Sequence, residues 1–346
     1  MAETLSNREK EVLRYIVDNF IHYGLPVGSR LISKHTGLNL SSATIRNVMS
    51  DLEDMNLLET PHTSAGRKPT DKGYRYYVDE LMKQESLNKN EIEFIKSNIE
   101  ESKNSIFDSD DLLQGTSKLL SVISHQLAVV TQPFLSSGIF EKLEVFSITS
   151  LKLLIVITIK SGYVKTLIME IDNEIEFRKI EKITQILNER LAGLTLLQIK
   201  ETFEERISDY KNDEPELLQL FFNSIDRINS EDEKVNKVHI AGTGEIISQP
   251  EFEDPKNFKN IITLTENKNL VIHIFQNPGK SIDEVSIKIG SENDEKKLKD
   301  YSVVCADYSI GGVNGKIGII GPKRLNYAKM ISLVEYTSKL ISELNQ

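Results

Sequence analysis

Arg46 and Asn47 stand side by side just inside an apolar-periodic segment made by Ile45, Val48, Met49, Leu52 and Met55. If those apolar residues face a core, Ser42, Arg46, Asn47 and Ser50 turn to solvent on the other side of one helix. An arginine bonds in two-pronged fashion to O6 and N7 of guanine, and an asparagine to N6 and N7 of adenine, so the pair suits base edges in a major groove. Thr44 can set its methyl against that of a thymine. Ser41 or Ser42 can cap the helix, whose free first-turn N–H groups can hold a phosphate.

A second set of donors follows directly. Thr60, Thr63, Ser64 and Thr70 supply hydroxyls and Arg67, Lys68 and Lys72 supply cations, the mixture that phosphate positioning uses. His62 could add a partial charge, although a lone turn histidine more often serves as a structural hydrogen bonder. Residues 60–77 hold Arg67, Lys68, Lys72 and Arg75 against Asp71 alone, whereas the whole chain carries a net charge of −10. Phosphate binding responds to the local field rather than to the total. Residues 1–82 are in any case close to neutral, with 10 basic and 11 acidic side chains, so most of the negative charge lies further along.

Positioning these groups requires three short helices and a loop. Apolar residues at helical spacing from 8 to 21 predict the first, which Gly24 and Pro26 end. Ser29 can cap a second helix carrying Leu31 and Ile32, which Gly37 would close in a tight turn. The third starts at Ser41 or Ser42, and residues 59–70 after it are small, polar and turn-rich. The order suits a helix-turn-helix with a wing behind its last helix. Residues 83–90 then read as a linker.

Further on, helices are expected over 91–105 and 108–130, and strands over 143–148, 151–159 and 163–171 as an antiparallel meander. Helical patterns cover 180–207 and 216–228, and a strand covers 235–241. The segment 258–275 is ambiguous because Val271, Ile272 and Ile274 are β-branched, and is taken as helical. Strands over 285–289, 301–308 and 316–320 precede an amphipathic helix over 325–344.

At 346 residues the chain exceeds what one core usually serves, so several domains are expected. Its one cysteine, Cys305, forms no internal disulfide and removes cysteine-rich metal sites from consideration. Its apolar neighbours favour a buried thiol. The start lacks the basic stretch and apolar run of a signal peptide, and the apolar stretch 151–159 is too short to cross a bilayer, so a cytoplasmic protein without a membrane partner is expected. An enzyme reading would need Ala241-Gly242-Thr243-Gly244-Glu245 as a phosphate loop. That segment lacks the third glycine of a dinucleotide fingerprint and the Gly-Lys-Ser/Thr ending of a P-loop. His239 and His273 have no nearby nucleophile, and no catalytic set, cofactor site or metal site is expected.

The strings Ser41-Ser42-Ala43-Thr44-Ile45-Arg46-Asn47 and Asp51-Leu52-Glu53 resemble those of the HrcA family of heat-inducible transcription repressors. So do Pro61-His62-Thr63-Ser64-Ala65-Gly66-Arg67 and Pro69-Thr70-Asp71-Lys72-Gly73-Tyr74-Arg75-Tyr76-Tyr77-Val78-Asp79. A C-terminal match lies in Tyr301-Ser302-Val303-Val304 and in Gly318-Ile319-Ile320-Gly321-Pro322-Lys323-Arg324-Leu325-Asn326-Tyr327-Ala328-Lys329-Met330, where Leu325-Asn326 replaces a commoner Met-Asp. Lys68 stands where relatives more often carry an aliphatic residue.

The resemblance implies an α+β multidomain chain: a winged helix-turn-helix (1–82), a GAF-like antiparallel sheet domain (93–179 and 281–346) and an inserted α/β dimerisation domain (180–280). It also implies a homodimer on an inverted-repeat operator in double-stranded DNA, repressing chaperone operons, with the chaperonin as a partner that keeps it active until heat draws the chaperonin away. An inverted repeat demands a two-fold dimer, with 180–280 as the expected interface and the C-terminal helix as the alternative. With about four phosphate-contacting cations per protomer, the log–log salt slope of binding would be roughly −7. Since GAF-like folds often hold ligands, a repressor governed by a small metabolite is the nearest rival. No convergent polar cluster for one is legible.

Overall fold

The computed structural model describes residues 5–34, 40–61, 66–104, 109–134, 137–160, 164–210, 215–235, 238–276, 279–282, 284–310 and 312–344. Two compact units emerge. The first holds Met1–Val130, His239–Ala306 and Ile317–Thr337, and the second Thr131–Val238, Asp307–Lys316 and Ser338–Gln346.

Helix α1, Asn7–Tyr23, starts with a capping box, in which the Ser6 hydroxyl accepts from Glu9 N–H while the Glu9 carboxylate takes the Ser6 N–H. Gly24, with φ of 67°, closes it in the left-handed conformation. Its stripe Val12, Leu13, Ile16, Val17 and Ile21 is buried. The short α2, Ser29–Ser33, begins after Gly28, so Ser29 is already helical and does not form the expected cap; Ile32 is buried but Leu31 is exposed. The expected turn at Gly37 lies outside the described residues. Helix α3, Ser42–Asp54, is capped by Ser41 and buries Ile45, Val48, Met49 and Leu52, each contributing roughly 1.5–3 kcal/mol relative to exposure.

Behind α3 the chain forms an antiparallel hairpin of β1, Leu58–Glu59, and β2, Lys68–Pro69, paired as Leu58 with Pro69 and Glu59 with Lys68. Val27 extends it through two backbone bonds to Arg67, of 2.8 and 2.9 Å. Thr70 caps α4, Asp71–Tyr76, which runs into a single π-helical turn over Tyr77–Leu81. Gly73 passes so close to Leu57 that an added Cβ would collide with that residue's carbonyl oxygen. Only glycine fits there.

The rest of the first unit carries α5, Lys89–Asn104, and α6, Ser109–Ser124, then β3, Leu127–Thr131, every residue of which is buried. The expected helix over 108–130 thus ends six residues early, with His125 at φ of 54° making the turn. An unbroken apolar run such as Leu127-Ala128-Val129-Val130 has the same hydrophobicity in a buried strand as in a buried helix, so periodicity alone does not separate them. After β7, Val238–Ala241, come α10, Thr243–Ile247, then α11, Pro255–Glu266, and α12, Lys268–Gln276, which makes the ambiguous 258–275 segment helical as expected. Strands β8, Lys280–Ile282, β9, Val285–Ile289, β10, Tyr301–Ile310, and β11, Val313–Pro322, complete a six-stranded sheet of order β7-β3-β11-β10-β9-β8. Helix α13, Tyr327–Leu344, follows.

The second unit is built on the antiparallel meander of β4, Phe140–Thr149, β5, Lys152–Ile159, and β6, Val164–Glu170. One face, with rows such as Val145-Ile155-Leu167, packs with α7, Phe177–Leu191, α8, Leu196–Arg206, and α9, Pro215–Val235, through Ile183, Leu187, Ile199, Phe203 and Phe221. These three strands form their own sheet. The expected domain limits therefore shift: residues 140–170 do not belong with the larger sheet, and residues 239–276 do not belong with the unit between them. The physical reason is that the order strands, helices, strands does not say which sheet a strand joins. A hairpin-linked meander satisfies its own hydrogen bonds and buries its face on the helices that follow it.

Candidate nucleic-acid interface

On α3 the expected division of faces is present. Arg46, Asn47 and Ser50 are exposed and Thr44 is half-buried, while Ile45, Val48, Met49 and Leu52 lie beneath. Between Ser41 and Ser42, the cap falls to Ser41, whose hydroxyl accepts from Thr44 N–H at 3.1 Å and lies 2.9 Å from Thr44 Oγ1. The Ser42 hydroxyl instead donates to Ser33 Oγ at 2.8 Å and ties α3 to α2. Of the six residues predicted on this helix, three are thus presented outright and three are partly engaged in holding it.

The basic loop behaves differently. Arg67 directs Nε and Nη2 at Glu53 Oε2, each at 2.8 Å, and the Thr60 hydroxyl donates to Glu53 Oε1 at 2.6 Å. The Thr60 hydrogen bond, helped by Arg67, outweighs burial and holds the Glu53 carboxyl below its ordinary range. Lys68 faces Glu59 at 3.0 Å across the hairpin, and Lys72 donates to the Met55 carbonyl at the end of α3, 2.9 Å away. Lys72 sits where a cation favours the negative end of the helix dipole. His62, Thr63 and Ser64 lie outside the described residues.

The local excess of positive charge is therefore largely matched by Glu53, Glu59 and, around Arg75, by Glu292 and Asp79. Sequence reasoning passed over Arg30 and Lys34 on and just after α2, both exposed. Ser42 to Ser33 holds that helix against α3, so these two cations are further candidates for phosphate contact. A scan for exposed basic residues on the helix preceding α3 would have found them.

The glycine segment after β7 has a structural use. Gly242 sits at φ of 94°, and an added Cβ would collide with the Gln126 carbonyl beside it. His239 bonds Asp110 at 3.0 Å. Among the described residues no group of three or more His, Cys, Asp or Glu is arranged to hold a metal, and no helix is long and apolar enough to cross a membrane. Cys305 is buried, as expected.

Comparison with known proteins fixes the family. The model of the HrcA protein C-terminal domain matches residues 110–331. The heat-inducible transcription repressor HrcA of Chlorobium phaeobacteroides (strain BS1) is 39% identical over 348 residues, covering 99% of both chains. That of Prosthecochloris aestuarii (strain DSM 271 / SK 413) is also 39% identical, over 98% of this chain and 97% of its own. The chain belongs to the HrcA family. HrcA proteins are transcription repressors and not enzymes, in line with the lack of a legible catalytic set. The matched HrcA domain begins inside α6, so it leaves out α1 to α5, which the full-length HrcA relatives cover. A crystal structure of a hypothetical protein solved at 2.2 Å resolution superposes with a TM-score of 0.55 at 23% identity over 98% of each chain, and so shares the fold.

Proposed function

We propose that this member of the HrcA family is a cytoplasmic repressor of chaperone operons, and that residues 5–81 form a winged helix-turn-helix in which α3 enters the major groove of an inverted-repeat operator. The observation that carries this reading is the two-faced α3: Ile45, Val48, Met49 and Leu52 anchor it, and Arg46, Asn47 and Ser50 stand clear of any covering element. Among the described residues no other helix start combines an arginine and an asparagine in this exposed setting with a hairpin behind it. Lys68 on the hairpin and Arg30 and Lys34 beside α3 supply phosphate contacts. That makes about three phosphate-contacting cations per protomer, so the expected salt slope eases to roughly −5.

A two-fold operator calls for a dimer. The outer face of the β4-β5-β6 meander supports one, since Phe146, Leu154 and Ile168 form a row across it with Phe146 51% and Ile168 56% exposed. Glu144, Val156 and Thr166 make the adjoining row. An exposed apolar row rimmed by polar residues is a common mark of a protein–protein contact. The proposed contact is therefore on 140–170 rather than on 180–280 or the C-terminal helix. The six-stranded sheet with α5, α6 and α13 is the proposed GAF-like domain, and the chaperonin is the proposed partner that maintains the active fold until heat stress diverts it. A reversible melt of the isolated protein far above growth temperature would count against chaperonin control.

Enrichment from a pool of random duplexes tests the whole reading. The account expects a two-fold symmetric sequence that Arg46→Ala binds less selectively, and Phe146→Glu with Ile168→Glu should yield monomers by sedimentation that hold single half-sites. Enrichment of no sequence, with and without chaperonin, would overturn it.

A further inference from the structure

Within the long family-matching string Pro61 to Asp79, the part from Pro69 to Asp79 contributes little to the proposed DNA face. Its helix α4 and the π turn present Asp71, Arg75 and Asp79 four residues apart on one side, and each meets a partner from the six-stranded sheet or its loops. The Asp71 carboxylate accepts from Lys323 Nζ at 2.7 Å and from the Ser291 N–H at 2.8 Å. Arg75 grips Glu292 with two parallel bonds, Nε to Oε1 at 2.8 Å and Nη2 to Oε2 at 2.5 Å, and reaches the Ile287 carbonyl at 2.8 Å. Asp79 faces Arg75 and also accepts from Lys280 Nζ.

These groups are not a solvated fringe. The Arg75 and Asp79 side chains are only 14% and 17% exposed. Gly290, at φ of 52°, lies against the Asp71 carboxylate so closely that a Cβ there would collide with it. Glu292 is itself held by the Ile289 N–H at 2.9 Å, so the receiving carboxylate is oriented before Arg75 arrives. On the other flank Arg324 pairs with Glu251 and reaches the Ile21 carbonyl of α1 at 3.4 Å. Between the module and α5 the chain has no helix or strand over 82–88, and Glu85 within it is held by Asn326 and Ser332.

The same helix is fastened to α3. Thr70 donates to the Asn56 carbonyl at 2.7 Å, its N–H bonds the Leu57 carbonyl, Lys72 takes the Met55 carbonyl, and Gly73 packs on Leu57. One face of α4 therefore holds the end of the recognition helix while the other grips the sheet domain.

We propose that Asp71, Arg75 and Asp79, clamped by Lys323, Glu292 and Lys280, are positioning residues that fix the angle of α3 on the sheet domain and so set the half-site spacing the dimer accepts. The proposal rests on the operator reading above. Each base pair inserted between half-sites turns one of them by about 34° and moves it about 3.4 Å, so a rigid clamp accepts a narrow range and a loosened one a broad range.

The test uses the full chain as wild type, Arg75→Ala and the milder Glu292→Gln, against a single half-site and against inverted repeats of graded spacing. Both variants should keep half-site affinity within about two-fold and lose about ten-fold or more at the preferred repeat, because the second contact is no longer pre-aligned, while the spacing profile flattens. Amide exchange at Ser291, whose N–H the Asp71 carboxylate holds, should speed up without change in β10 and β11, a readout that needs no DNA. An unaltered spacing profile, or equal losses on half-site and repeat, would overturn the clamp. If the wild type selected no operator, the functional reading would fail by itself, and unchanged Ser291 exchange in both variants would independently overturn the clamp.

Discussion

Helices α3 and α4 are close neighbours in one module, both are capped by a hydroxyl residue, and both bury one apolar side, yet they differ in what meets the other side. On α3 that side is open and carries Arg46, Asn47 and Ser50. On α4 it is closed by Lys323, the Ser291 amide and Glu292. Charge density is higher on α4, but its charges are neutralised at short range by fixed partners, whereas the single arginine on the open side of α3 keeps its guanidinium available. Availability, more than the number of cations in a stretch, distinguishes residues that contact a ligand from residues that hold a scaffold.

The comparison breaks most visibly in the core that both helices share. Ile45→Ala should destabilise the module by about 2–5 kcal/mol, since Ile45 is fully buried and its loss leaves a cavity beneath α3. Thermal unfolding should show it, and operator binding should fall with the folded fraction. A melting curve identical to wild type would mean that α3 is not anchored as described.

Smaller and of a different kind is the effect on the closed face. Burial opposes ionisation of Asp71, but hydrogen bonds from Lys323 and the Ser291 amide prevail and keep its pKa below the ordinary aspartate value. A group with a depressed folded pKa stabilises fully above its unfolded pKa, about 3.9, and loses that contribution as pH falls through the folded value. Asp71→Asn should therefore lower stability at neutral pH, and the difference from wild type should shrink as pH falls through the depressed folded pKa. A constant difference across the acid range would show that Asp71 acts by shape alone.

The smallest effect belongs to Lys68. Its partly exposed pair with Glu59 is worth about 0–1 kcal/mol, so Lys68→Ala should leave melting nearly unchanged. It should make the salt slope of DNA binding shallower by about 0.9 per protomer. An unchanged slope would confine Lys68 to the hairpin.

Much of this was legible in the sequence for a simple reason. The stripe Ile45, Val48, Met49, Leu52 admits one helical phase, and that phase places Arg46 and Asn47 outward whatever surrounds them. Residues 285–289 are likewise bounded by glycine and acidic turns that leave one reading. Three features escaped. Leu127 to Thr131 is apolar without interruption and carries no period. The meander at 140–170 joins its own sheet, and a choice among sheets depends on which long-range partner is available rather than on local pattern. The roles of Arg67, Lys72 and Arg75 depended on carboxylates and carbonyls at 14, 17 and 217 positions' distance, which no spacing rule supplies.

The most direct test of the central claim is a titration of the wild-type chain and Arg46→Ala on the selected operator and on a scrambled duplex at one fixed salt concentration. Loss of a two-pronged guanine contact should cost about 1–3 kcal/mol on the operator, leave the scrambled duplex nearly unaffected and relax preference at one position in each half-site. Equal weakening on both duplexes would make Arg46 a phosphate contact, and no weakening on either would contradict the account of α3 as the reading element.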